Sequence, residues 1–97
     1  MTTTRLPGRA EDEREFLRAM GMQIRLARVR CELSQQQLAD RAGMSRNFVS
    51  AVERGGHGVD VRRLRQLARA LGVELAALLP AEQPPDAAGQ ASARRSA

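Results

Sequence analysis

The chain has 97 residues, room for one small domain with tails but not for two, because shorter pieces bury too little surface to hold together. Apolar residues make up 42% of it, yet only Phe16 and Phe48 are aromatic, so any core is aliphatic. A single cysteine, Cys31, and a single histidine, His57, exclude a disulfide framework and a clustered zinc site within one chain. No apolar stretch approaches the roughly 20 residues a membrane span requires, and the N-terminus lacks the apolar core of a signal peptide.

Met1 to about Ala10 show no periodic apolar face and are expected to form an arm; with the acids that follow, the arm covers residues 1–15. Glu11, Asp12, Glu13 and Glu15 place negative charge where it stabilises a helix N-terminus, so helix 1 is expected to begin nearby. Phe16, Met20, Ile24, Ala27 and Cys31 then share one helical face. An interior glycine costs about 1 kcal/mol relative to alanine, so Gly21 allows a start as late as Gly21 or Met22.

Ser34 precedes Gln35, Gln36 and Gln37 as an N-cap, and the glutamine three residues on completes a capping box. Helix 2 therefore begins at about Gln35 and runs through Leu38, Ala39 and Ala42 to Gly43, a residue suited to positive φ. Only Met44 separates Gly43 from Ser45, the cap of helix 3, so the two helices must cross steeply. Helix 3 extends from about Arg46 to Glu53 or Arg54, with Val49 and Val52 inward.

Gly55, Gly56, His57 and Gly58 form a loop. Asp60 caps helix 4, whose apolar stripe is Val61, Leu64, Leu67, Ala68 and Leu71. Gly72 ends it, and Val73 through Leu79 are expected to form a brief fifth helix stopped by Pro80. Residues 80–97, rich in Ala, Pro, Ser and Gln, are expected to be a disordered tail. The β-branched and aromatic alternation of strands is missing, so the fold class is all-α, with the domain at residues 16–79.

All sixteen basic side chains are arginine, which bonds phosphates and guanine edges through two parallel N–H groups. Residues 16–79 carry eleven arginines against five acids, so the basic excess belongs to the folded part. By charge alone this is equally a solubilising surface.

The segment SQQQLADRAGMSRNFVSAVERG resembles the helix-turn-helix of the phage-repressor-like family, also called the Xre or Cro type. Ala39 stands where the two helices touch, Gly43 is the turn, and Leu38, Val49 and Val52 occupy the buried positions. The likeness extends over residues 20–79 and implies a five-helix lambda-repressor-like domain that binds double-stranded DNA; the sequence offers no acid pair, His-centred arrangement or phosphate-cradling motif, so the chain is expected not to be an enzyme. It implies base contacts from the start of helix 3, at Ser45, Arg46, Asn47, Ser50 and Ala51, with apolar contact to a thymine methyl from Ser45, Ala51 or Phe48. Phosphate contacts are expected from Gln35, Gln36, Arg54, Arg62 and Arg63.

Further implications of the resemblance are an ion pair of Arg28 with Glu53, bracing helix 1 against helix 3, and a homodimer on a pseudo-palindromic operator. Leu75, Leu78 and Leu79 either form the dimer surface or complete the monomer's own core. Glu32 departs from the family pattern, standing where a glycine ends helix 1. No cofactor, metal, membrane or small-molecule partner is expected, and the setting is the cytoplasm of a bacterium or of a phage's host. The other class compatible with the sequence is a protein-interaction module, such as an antitoxin whose toxin binds the arm or tail.

Overall fold

The computed structural model describes residues 9–81. The expected N-terminal arm up to Gly8 and the tail from Glu82 lie outside the described residues. Within them the chain is all-helical: α1 (Arg9–Arg30), α2 (Gln35–Ala42), α3 (Arg46–Glu53) and α4 (Val61–Leu71), then a 3₁₀ turn (Leu75–Leu78), with no strand. Four α-helices and a turn thus stand where five helices were expected. The last segment has no side-chain cap at Glu74 and only i→i+3 bonds, Ala77 to Glu74 and Leu79 to Ala76, before Pro80.

Every cap read from the sequence is made. Ser34 Oγ accepts from the Gln37 backbone at 3.0 Å while Gln37 Oε1 accepts from the Ser34 backbone at 2.8 Å. Ser45 accepts from Phe48, and Asp60 from Arg63. At the C-termini all four helices close in one way. A residue two or three positions past the helix donates five residues back: Leu33 to Arg28, Met44 to Ala39, Gly56 to Ala51 and Val73 to Ala68. The residue before it takes a left-handed conformation in each case, and three of the four are glycines: Gly43, Gly55 and Gly72. The fourth is Glu32, at φ 59°, the one non-glycine among the described residues with positive φ.

The core is aliphatic. Met20, Ile24 and Ala27 of α1 meet Leu33, then Leu38, Ala39 and Ala42 of α2, Val49 and Val52 of α3, and Leu64, Leu67, Ala68 and Leu71 of α4. Leu78 closes this cluster at 0% exposure. Of the two roles open to it, Leu78 takes the core one, whereas Leu75 is half-buried and Leu79 exposed.

Three expectations about the helices are corrected. Val61, assigned to the apolar stripe of α4, is 71% exposed in its first turn. Cys31 does not lie on the buried face, because α1 ends at Arg30; it is exposed, and its thiol reaches the Leu71 carbonyl at 3.4 Å. Residues 9–15, read as arm, belong to α1, which passes uninterrupted through Gly21.

Gly21 is buried where α1 crosses the end of α3. A Cβ built there falls 2.4 Å from the Val52 carbonyl oxygen and 2.6 Å from that of Glu53. The missing side chain is therefore what lets two backbones touch. Gly55 repeats the device from the other side: its φ is 77°, and a Cβ meets the Arg18 backbone at 2.8 Å. The N-terminal half of α1 thus lies against the end of α3 and the loop that follows, with Phe16 and Leu17 packed on the core.

Two substitutions test these readings by urea denaturation. Gly21→Ala, despite its gain in helix propensity, is expected to lose about 1–3 kcal/mol, because the obstructing atoms are backbone. Glu32→Gly is expected to gain about 0.5–1 kcal/mol, since a left-handed L-residue costs roughly 1–2 kcal/mol and glycine returns part of that as chain entropy.

Candidate functional site

α2 and α3 are eight residues each, too short to persist alone in water, so their packing decides where their side chains point. Leu38, Ala39 and Ala42 on one and Val49 and Val52 on the other are turned inward. That leaves the N-terminus of α3 outside: Ser45, Arg46 and Asn47 are exposed, and Ser50 and Ala51, a turn later, are half-buried. Ser45 Oγ is committed as an acceptor to the Phe48 backbone at 3.0 Å, which leaves its O–H free to donate.

The opposite end of α3 is anchored. Arg28 Nε donates to Glu53 Oε2 at 2.6 Å and Arg28 Nη2 to Glu53 Oε1 at 3.0 Å, with side-chain exposures of 13% and 3%. Arg28 Nη1 also holds the Leu33 carbonyl at 2.8 Å, closing the end of α1. Hydrogen bonding to Glu53 raises the Arg28 pKa above its ordinary value against the opposing effect of burial, so the guanidinium is a permanent cation.

Gln35 joins the same carboxylate, donating from Nε2 to Glu53 Oε1 at 3.0 Å. The sequence points to a phosphate contact for this side chain. In the structure one amide hydrogen serves Glu53, and the second hydrogen and the carbonyl oxygen remain. α1, α2 and α3 therefore converge on one carboxylate. Gln36 is exposed, its amide bonded to Asp40 Oδ1 at 2.9 Å one turn on.

The remaining arginines divide. Arg62 is exposed in the first turn of α4. Arg54, also exposed, donates from Nη1 to Ser50 Oγ at 2.5 Å, so its guanidinium lies along the half-buried side of α3. Arg63, also exposed, lies over the Phe48 ring, its guanidinium carbon 5.3 Å from the ring centre and Nη1 3.4 Å from Asp60 Oδ2. The His57 ring is 5.7 Å from that of Phe48, tilted by 43°.

Phe48, one of the three residues offered for a thymine-methyl contact, is half-buried and touches His57 of the loop and Arg63 of α4. Gly43, Met44, Ser45, Phe48 and Arg63 line a shallow depression at the start of α3. Sequence reasoning missed this cluster. Its members are spread over the turn, α3 and α4, and no local pattern links them. Among the described residues, no three His, Cys, Asp or Glu side chains gather as metal ligands, and no helix is long and apolar enough to cross a membrane.

The fold is shared with known proteins. A family model described as Helix-turn-helix, HTH_3, matches residues 24–78, more than half of the chain. The chain is 36% identical over 74 residues to a hypothetical transcription factor of Neisseria meningitidis, covering 76% of this chain and 70% of that protein. It is 32% identical over 63 residues to the immunity repressor protein of Bacillus phage phi105, covering 65% of this chain and 44% of the repressor. Among solved structures it resembles the restriction-modification controller protein C.AhdI of Aeromonas hydrophila, with a TM-score of 0.68 and 35% identity over 70% of this chain and 99% of that one.

Arg28→Ala leaves the Glu53 carboxylate buried with Gln35 alone. The expected loss is about 3 kcal/mol of unfolding free energy, measured by chemical denaturation, with Arg28→Lys recovering only part of it because an ammonium cannot make the two parallel bonds.

Proposed function

Because the chain belongs to the HTH_3 helix-turn-helix family of DNA-binding transcriptional regulators, we propose that it reads a pseudo-palindromic operator as a homodimer, with α3 seated in the major groove. The observation that carries this reading is the orientation of α3: its anchored end is buried and its capped N-terminus stands free with Arg46 and Asn47 outward. A major groove about 12 Å wide admits one helix, and its N-terminal residues reach the base edges.

Arg46 supplies two donors for guanine O6 and N7, and Asn47 a donor and an acceptor for adenine. Ser45, Ser50 and Ala51 complete the reading edge. The unused N–H of Gln35, the exposed Gln36 and the free backbone N–H groups at the start of α2 hold the phosphates of the near strand. Arg54 and Arg62 hold the other side. Arg63 serves there only after giving up its seat on Phe48, so its contribution is smaller than that of Arg62.

In the dimer two copies of α3 occupy successive grooves about 34 Å apart. Leu79, 40% exposed, and half-buried Leu75 remain for that contact, without Leu78. Occupancy then follows the concentration of the protein, and the product is a repressor or activator according to where the operator lies. The family is one of transcription regulators rather than enzymes, and the relatives above come from bacteria and a phage.

Selection of duplexes from a random pool, followed by titration at several salt concentrations, tests the reading. Arg46→Ala is expected to relax preference at one base pair of each half-site by about 1–3 kcal/mol. Arg54→Ala should instead weaken all duplexes alike and flatten the log–log salt dependence by about one for each phosphate the arginine neutralises. Failure to select any sequence, or identical behaviour of the two variants, counts against it.

A further inference from the structure

α1 carries two apolar faces where a surface helix needs one. Met20, Ile24 and Ala27 are in the core, while Met22, Leu26 and Val29 are 49%, 41% and 54% exposed on the opposite side. At 100° per residue these three, with exposed Ala19, form a single stripe along the outer surface at the spacing of a helix-pairing seam. The monomer's own packing does not account for them.

The flanks of the stripe are basic. Arg18 and Arg25 border one side and Arg30 the other, all exposed, and from Phe16 to Cys31 the chain contains no acid. This charge decides among occupants. Two copies of α1 laid stripe to stripe bring Arg25 beside Arg25 of the second copy when antiparallel, or beside its Arg30 when parallel, and both are like-charge pairs. Neither residues 82–97, which contain no Leu, Ile, Val, Met or Phe, nor residues 1–8, which contain no acid, match such a face.

We propose that the outward face of α1 docks an amphipathic helix of another protein, one with an apolar ridge bordered by acidic side chains. Such a helix seats its ridge on Met22, Leu26 and Val29 and pairs its acids with Arg18, Arg25 and Arg30, a helix-in-groove mode steered by charge. α1 touches α3 at its Val52 and Glu53 end, whereas Arg46 and Asn47 stand at the other end of α3. A bound partner therefore leaves Arg46 and Asn47 free, as a regulator recruiting or blocking a second protein at its site requires.

The test uses the full chain without DNA, so its outcome is independent of the operator-reading proposal. The probe is a fluorescent synthetic peptide of about three heptads, with Leu at the seam positions and Glu at the flanks, followed by anisotropy. Binding is expected, weakened about tenfold by Leu26→Glu and by Arg25→Glu separately, while a peptide with Lys at the flanks does not bind. Because both side chains are exposed, unchanged thermal unfolding of each variant shows that the loss is local. Absence of binding, equal binding of the Lys peptide, or insensitivity to both variants overturns the proposal. So does sedimentation showing that the free protein is a dimer which Leu26→Glu converts to monomer, since a second copy then occupies the stripe.

Discussion

A buried carboxylate needs partners, and Glu53 has three hydrogen bonds from two of them, Arg28 and Gln35. Removing one donor does not merely subtract an interaction. It leaves a charge out of water, at a cost larger than the net worth of the pair. Because the donors sit on α1 and α2 and the acceptor on the last turn of α3, satisfying this one group fixes all three helices. An eight-residue helix cannot hold its own direction, and the direction of α3 is what determines whether its first turn is presented or hidden.

Steric contact reinforces the electrostatics at the same place. Gly21 lets the α1 backbone reach the carbonyls of Val52 and Glu53, and Gly55 lets the chain leaving α3 lie against Arg18. Hydrogen bonds are strongly distance-dependent, so bringing the backbones together is what makes the short Arg28 to Glu53 contact attainable. The other end of α3 is treated differently. There a serine cap and a side contact of Phe48 with Arg63 and His57 locate the helix without covering it. One end is secured and the other presented, a division suited to a surface that must meet a rigid partner without rearranging.

α1 extends this logic to a second surface. Its inner face is common to the core of the domain, whereas its outer face has an apolar stripe with an arginine border. Scattered exposed apolar residues are ordinary on protein surfaces, but a stripe on one helical face with one sign of charge along both edges is patterned. The stripe is on α1 and the exposed Arg46 and Asn47 are on α3, two helices tied together by Arg28 and Glu53. That arrangement allows contact at one surface without disturbing the other.

How much of the fold was legible depended on the range of the interaction. The helix caps at Ser34, Ser45 and Asp60, the turn at Gly43 and the inward Leu38, Val49 and Val52 are set by neighbours within a few residues, and the sequence alone determined them. Resemblance to a known motif then paired Arg28 with Glu53 across 25 positions. What it did not contain was the reason for Gly21. Read locally, that glycine weakens a helix; in the fold it is the point where two helices touch. The same holds for Leu78, Phe48 and the full extent of α1, each decided by which surface another element happens to cover. Hydrogen bonds within a turn are written in the chain's local order, whereas steric fit and burial exist only once distant segments share the same space, and so only the tertiary structure decided them.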